Sequence, residues 1–276
     1  MNLTLLRAMA TSLALVCGAA AAQNAAPAKV IRYAFPIAET GFDPAQISDL
    51  YSRTVAQGIF EAPLTYDFLA RPAKVKPATA VALPEISDDF KRFVFQIRPG
   101  IHFADDPVFK GRKRELTAAD YVYSVKRHYD PKFKSPSLFQ LENAQILGLS
   151  ELRRKAIADK TPFPYDTEVE GLRTLDRYRF EVRLALPSPR LHFHFADGAV
   201  TGAVAREVIE AYAGREMEHP VGTGPFRLAS WKRSSKIVLE RNPGYREVVY
   251  DETPAADSPT ARALAERFKG RRLPMV

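Results

Sequence analysis

The sequence predicts a mixed α/β fold in which strands and helices follow one another irregularly, without the regular βαβ alternation of one doubly wound sheet. Alternating apolar and polar residues indicate strands at residues 93–97 and 178–184. Capped segments with apolar residues three and four positions apart indicate helices beginning near residues 50 and 118. With 276 residues and a hydrophobic fraction of 46%, the chain can bury one large core or two smaller ones.

Each further element follows from a local pattern. Residues 30–35 alternate well enough for a first strand, and Ser48 or Asp49 is available to cap the helix at residues 50–60. Thr117 begins the clearest helix, with Asp120 three positions on as a capping-box partner. The remaining predicted elements are hairpins at residues 172–184 and 226–240 and helices at residues 151–159, 206–213 and 259–269.

The N-terminus has the pattern of a cleavable export signal. Arg7 precedes an apolar stretch that carries no charge, and residues 20–22 are three alanines suited to a cleavage site. The stretch is too short for a stable membrane span, although an uncleaved anchor is the alternative. We therefore expect residues 1–22 to be a signal peptide and residues 23–28 a flexible leader, and we expect the mature chain in the periplasm.

Composition narrows the possible functions further. Cys17 is the only cysteine, so a chain cleaved after residue 22 is held by its core without disulfides. The formal net charge is +8, but the densest basic runs, at residues 112–114 and 271–272, are short and acidic residues lie near most of the others. This pattern is typical of a solvated mixed surface, and we expect no nucleic-acid partner.

The familiar catalytic and cofactor motifs are missing from the sequence. The triplet at residues 222–224 contains Gly-x-Gly, but Pro225 follows it and the later glycine of a dinucleotide site is absent. His192 and His194 can share a metal ion if they lie on a strand; the alternative is an aromatic-rich segment that packs on the core. We therefore expect no enzyme, no cofactor and no metal. An exported hydrolase would need a nucleophile and base that the sequence does not reveal.

Five segments, in order along the chain, resemble family 5 of the bacterial extracellular solute-binding proteins, the receptors of peptide- and nickel-type ABC importers. They are residues 42–44 with 59–64, residues 87–89 with 93–103, residues 116–125, residues 219–228, and Trp231 with residues 237–245. The resemblance covers about residues 29–276. It implies a periplasmic-binding-protein-like fold (type II, oligopeptide-binding-protein-like) with two lobes, of which this shorter chain is an incomplete, C-terminally truncated part.

The resemblance also implies a domain arrangement and a function. Lobe I would comprise about residues 29–62 and 175–276, with a smaller inserted subdomain at about residues 63–174. The protein would capture a small peptide or similar solute and deliver it to the permease subunits of an importer, as a monomer. A ligand-binding sensor or a chaperone-like protein on the same scaffold is the alternative.

Two candidate ligand-binding patches come from the resemblance. Ser48, Asp49, Leu50 and Tyr51 match the stretch that faces the cleft in family members, and the Tyr51 ring can stack on a solute. The alternative is that Tyr51 belongs to the core stripe of the helix and Ser48 is its cap. The turn Gly222, Thr223 and Gly224 either exposes backbone near the cleft or is only a tight loop that needs special backbone angles.

Overall fold

The structure, a computed structural model, describes residues 29–273. The predicted signal peptide and leader, residues 1–22 and 23–28, lie outside the described residues. Residues 29–34 contain no helix or strand, so the strand predicted at residues 30–35 is wrong. A strand gains stability by packing one face against neighbours, whereas Val30, Ile31 and Tyr33 are 65%, 70% and 72% exposed.

From Phe35 onward the chain forms one compact unit. Its helices are α1 (Leu50–Ile59), α2 (Ala118–Tyr129), α3 (Leu138–Asn143), α4 (Leu149–Asp159), α5 (Leu191–His194), α6 (Gly198–Thr201), α7 (Arg206–Ala211) and α8 (Pro259–Phe268). Its strands are β1 (Leu64–Asp67), β2 (Lys74–Pro77), β3 (Glu85–Ile86), β4 (Arg92–Gln96), β5 (Leu172–Thr174), β6 (Arg179–Arg183), β7 (Phe226–Lys232), β8 (Lys236–Arg241), β9 (Val248–Val249) and β10 (Arg272–Leu273). None of the described helices is long and apolar enough to cross a membrane.

Most of the predicted elements are confirmed, with bounds that differ by one or two residues. These are the strands at residues 93–97 and 178–184, the hairpins at residues 172–184 and 226–240, and the helices at residues 50–60, 151–159, 206–213 and 259–269, together with the helix after Thr117. The helix α2 begins as predicted, because the backbone N–H of Thr117 donates to Oδ2 of Asp120 at 2.7 Å.

The central sheet has the strand order β3-β4-β6-β5, and all neighbouring strands are antiparallel. Alternate residues of a strand point to opposite faces, so the sheet has an inner and an outer face. The inner face carries Phe93, Phe95 and Phe180, which are completely buried; the rings of Phe95 and Phe180 stack with their centroids 4.9 Å apart. Helix α2 covers this face with Tyr121 and Val125. The larger hydrophobic core therefore lies between the sheet and α2.

A buried ion pair ties the other side of α2 to the chain that precedes α1. Arg127 donates from its two terminal nitrogens to the two carboxylate oxygens of Asp43, at 2.6 and 2.8 Å, and both side chains are 1% exposed. Burial alone would raise the pKa of Asp43, but the Arg127 guanidinium holds that pKa below its ordinary value. The pair is therefore ionised and fixes the segment leading into α1.

A second, smaller core holds α1 in place. It is formed by the buried side chains of α1 together with residues from the segment before it, from α2 and from α6: Phe42, Ile47, Val55, Ala56, Ile59, Phe60, Tyr123, Ala199 and Val204. The β7–β8 hairpin packs against it through Leu228 and Trp231. One face of α1 is therefore fixed by packing, and the opposite face is left at the surface.

The predicted boundary between lobe I and the inserted subdomain lies between residues 174 and 175. Strand β4 belongs to the predicted subdomain and β6 to the predicted lobe, yet the two pair over their full length. Buried residues from both sides of this boundary also form one continuous core. The described residues show no boundary between two lobes at residues 174 and 175. The division into lobes stays a prediction.

Candidate functional site

The first predicted patch lies at the N-terminal end of α1. Asp49 caps the helix, accepting hydrogen bonds from the Ser52 backbone N–H at 2.8 Å and from Oγ1 of Thr40 at 2.6 Å. Burial opposes ionisation, but these hydrogen bonds lower the pKa of Asp49. Of the two caps that the sequence allows, Ser48 or Asp49, the structure uses Asp49, because its side chain supplies the acceptor. Ser48 is exposed, and Leu50 is 68% exposed.

Tyr51 lies beside this cap at the edge of the smaller core. Its ring stacks on Phe35, with the centroids 4.7 Å apart and the planes at 28°. The buried side chains of α1 are Ser52, Val55, Ala56 and Ile59, so Tyr51 is outside the core stripe of its helix. It is half-buried and presents part of its ring to solvent next to exposed Leu50.

The second predicted patch, the turn Gly222, Thr223 and Gly224, packs on the C-terminal end of the same helix. The Gly224 N–H donates to the carbonyl of Ile59 at 2.8 Å. A Cβ on Gly222 would lie 2.1 Å from the Ile59 oxygen, and one on Gly224 would lie 2.6 Å from it. Neither glycine has a positive φ. The expectation of special backbone angles is wrong, since these glycines are required by close approach.

All three residues of the turn are buried, and the carbonyls of both glycines accept hydrogen bonds from protein groups. The Gly222 carbonyl accepts from Ala104 N at 2.9 Å, and the Gly224 carbonyl accepts from Nδ2 of Asn242 at 3.0 Å. In this structure the turn packs against the C-terminal end of α1. A direct contact between this turn and a solute stays a prediction.

A charged cluster centred on Glu61 joins the end of α1 to the chain that leaves the β7–β8 hairpin. Arg246 donates from its two terminal nitrogens to the Glu61 carboxylate at 2.7 and 2.9 Å. Oγ1 of Thr223 donates to the same carboxylate at 3.0 Å, and Tyr245 donates at 3.3 Å. Burial lowers and Glu61 raises the pKa of Arg246, with a net rise, so the guanidinium stays charged. Sequence reasoning missed this cluster, although Glu61 and Tyr245 both lie in the resembling segments.

Between its two ends, α1 presents a polar face to solvent. Thr54 and Gln57 are exposed, while Arg53 forms an ion pair with Asp197. Asp197 also caps α6, accepting from Ala199 N at 2.9 Å, so the position of Arg53 is fixed from outside the helix. At about 1.5 Å per residue the ten residues of α1 extend about 15 Å. The face therefore matches the length of about four extended peptide residues.

The β7–β8 hairpin supports the N-terminal end of this face. The Trp231 ring lies edge-on to Phe42 with the centroids 4.8 Å apart. Its Nε1–H donates to the carboxylate of Glu39, which also accepts from Ser234 N at 3.1 Å. A tryptophan held by both packing and a hydrogen bond makes a rigid support for the segment between residues 39 and 49.

Two concave features lie away from the α1 face. A cavity of about 10 Å³, lined by Phe60, Val208 and His219 among others, has room for about one water molecule. A shallow groove of about 500 Å³ is lined by His102, Lys113, Arg114, Glu115, Thr117 and Arg177. The three cations of this groove already form ion pairs with acidic side chains.

The histidine pair considered for a metal lies on a helix. His192 and His194 belong to α5, and residues two apart on a helix point in nearly opposite directions. The condition for a shared metal ion, a strand at this position, is therefore not met. Within residues 29–273, no group of three or more His, Cys, Asp or Glu side chains is placed to hold a metal ion.

Comparison with known proteins gives the family. The model of "Bacterial extracellular solute-binding proteins, family 5 Middle" matches residues 74–266. The periplasmic oligopeptide-binding protein OppA of Salmonella typhimurium is 29% identical over 205 residues, which cover 74% of this chain and 34% of that protein. The probable deoxycholate-binding periplasmic protein YgiS of Escherichia coli is 28% identical over 224 residues, covering 80% of this chain and 38% of that protein. The chain thus spans about a third of the length of these curated relatives.

Solved structures agree with the sequence relatives. The crystal structure of Haemophilus influenzae OppA in complex with the peptide RPPGFSPFR superposes with a TM-score of 0.61 at 25% identity, covering 82% of this chain and 42% of that chain. The predicted fold class, a periplasmic-binding-protein-like α/β fold of the oligopeptide-binding type, is therefore confirmed.

Proposed function

The chain belongs to family 5 of the bacterial extracellular solute-binding proteins, and from this premise we propose that it binds a small peptide or similar solute for an ABC importer. In this proposal the protein acts in the periplasm as a monomer, delivers its solute to membrane permease subunits and performs no covalent chemistry. The signal peptide at residues 1–22 is part of the same proposal, since export would bring the protein to that compartment.

The observation that carries the proposal is the solvent-facing side of α1 from Leu50 to Gln57. Its two ends are fixed, one by the Asp49 cap and the other by the glycine turn and the Glu61 cluster. A rigid surface loses little conformational entropy when a solute binds, which favours affinity. Exposed Leu50 and half-buried Tyr51 offer an apolar contact at one end of the face.

The composition of the face supports a solute with both apolar and polar groups. Leu50 and Tyr51 can pack on an apolar side chain, while Thr54 and Gln57 can exchange hydrogen bonds with amide groups. Peptides have this character. A bile acid such as deoxycholate also has both apolar and polar groups. The relative YgiS is a probable deoxycholate-binding protein, which favours bile acids as the second class of solute.

A calorimetric screen with a matched pair of variants tests the proposal. Di- to pentapeptides and deoxycholate are titrated into the purified chain by isothermal titration calorimetry. Tyr51→Ala removes the aromatic ring of the α1 face, and Phe139→Ala removes a ring from α3 that is 60% exposed. We expect Tyr51→Ala to weaken binding about tenfold or more, as loss of one good ring contact does, and Phe139→Ala to leave binding unchanged. Equal effects of the two variants, or no binding of any tested solute, would contradict the proposal.

A further inference from the structure

The outer face of the central sheet carries a cluster of arginines around one carboxylate. Glu181 on β6 is 1% exposed, although it lies on the face that points away from the core. Arg92 contacts its Oε2 through Nε, and Arg173 donates from Nε to Oε1 at 2.9 Å. Nε of Arg183 lies 3.0 Å from the same Oε1. Three guanidinium groups therefore cover a single carboxylate.

This cluster has more positive charge than its own residues neutralise. Three arginines and one glutamate leave an excess of two positive charges, with the arginine side chains 37% to 45% exposed. A second carboxylate, that of Glu170, forms a looser ion pair with Arg183 at 3.6 Å and is 67% exposed, so one positive charge remains in excess when it is counted. Arg92 and Arg183 are directly opposite each other on paired strands, and the Glu181 carboxylate that both contact relieves their mutual repulsion.

The donors left over are suited to an oxyanion. Arg92 contacts Glu181 through Nε and not through its terminal nitrogens. Nε of Arg183 is buried against Glu181, so an added anion would meet the terminal nitrogens of this side chain. Guanidinium groups present paired N–H donors that fit the oxygens of phosphate two at a time.

We propose that Arg92, Arg173 and Arg183 form a binding site for a phosphate-type oxyanion on the outer face of the central sheet. The positive charge that Glu181 and Glu170 leave over favours binding of an anion. Glu181 acts as the positioning residue, since it gathers the three side chains into one place. The site is separate from α1 and from the glycine turn, so it is independent of the solute proposed above.

The first experiment measures inorganic phosphate binding to the purified chain by isothermal titration calorimetry, against chloride at equal ionic strength. Arg173→Gln removes one member of the cluster from an edge strand. Arg179→Gln is the matched control: it removes the same charge from the same sheet face, where Arg179 pairs with Asp176 at 2.6 Å. We expect Arg173→Gln to weaken phosphate binding about tenfold, the loss of one charge-assisted hydrogen bond, and Arg179→Gln to change it little. No binding by the parent chain, or an equal loss in both variants, would overturn the proposal.

A second variant separates lost phosphate binding from misfolding, because its expected result is a gain and not a loss. In Glu181→Gln the three arginines lose their shared anion, so added phosphate should raise the melting temperature of this variant more than that of the parent chain. Equal shifts in the two proteins would count against the site.

The source of the oxyanion is separated by co-sedimentation with vesicles of phosphatidylcholine, with and without phosphatidylglycerol. Binding of phosphatidylglycerol vesicles that Arg173→Gln abolishes assigns a lipid headgroup to the site. Phosphate binding without vesicle binding assigns the free ion. Either result supports the proposal.

Discussion

Replacement of Gly222 by alanine tests why the glycine turn has its sequence. The added Cβ would lie 2.1 Å from the carbonyl oxygen of Ile59 and 2.8 Å from its carbon, both backbone atoms that cannot rotate away. The turn or the end of α1 must therefore shift. Overpacking of this kind costs about 1–3 kcal/mol. Alanine also restricts the unfolded chain, which returns about 0.4–1 kcal/mol. We expect a net loss of about 1–2 kcal/mol of unfolding free energy.

The matched control is Gly244→Ala, two residues after Asn242. A Cβ at Gly244 would meet only Oδ1 of Asn242 at 3.5 Å, an ordinary contact. Its φ is not positive either, so alanine is compatible with its backbone. Urea unfolding of both variants, with comparison of midpoints at constant slope, gives the difference. A Gly222→Ala protein as stable as Gly244→Ala would refute the reasoning from close approach.

Three further predictions concern ionisable side chains. Arg127→Met leaves the Asp43 carboxylate buried without its partner and should lower the unfolding free energy by about 3–5 kcal/mol, measured by urea unfolding; a loss below about 1 kcal/mol would contradict a buried pair. Burial lowers the pKa of His128 to about 4. Folding therefore favours the neutral imidazole. Its contribution to the unfolding free energy is complete above about pH 6.5 and falls by about 3 kcal/mol as the pH is lowered toward 4. His128→Gln should flatten that part of the curve of unfolding free energy against pH. Glu61→Gln and Arg246→Gln should each destabilise the chain, and a double-mutant cycle should give a coupling energy of about 1–3 kcal/mol; additive losses would contradict the contact.

Local patterns in the sequence predicted most of the helices and strands. The Thr117 and Asp120 capping box and the alternation at residues 178–184 are determined by neighbours within a few positions, and both occur in the structure. The strand predicted at residues 30–35 does not form. Its alternation is also local, but a strand needs partners that a local pattern does not reveal.

The contacts that organise the candidate site are far apart in sequence. Arg246 meets Glu61 across 185 positions, and Arg127 meets Asp43 across 84. No periodicity links such pairs, so sequence reasoning did not identify either of these ion pairs. The turn at Gly222 shows a related limit. The sequence shows a glycine at this position but not the reason for it. In the structure the φ angle of Gly222 is not positive, and the nearby carbonyl of Ile59 leaves no room for a side chain.

Hydrogen–deuterium exchange with and without a saturating solute from the calorimetric screen tests most directly whether the exposed face of α1 binds the solute. We predict slower exchange in the solute complex for peptides covering Leu50–Ile59, with α4 (Leu149–Asp159) unchanged as the internal reference. Protection at residues 102–117, which border the shallow groove, with none in α1, would contradict the account and move the binding site to that groove.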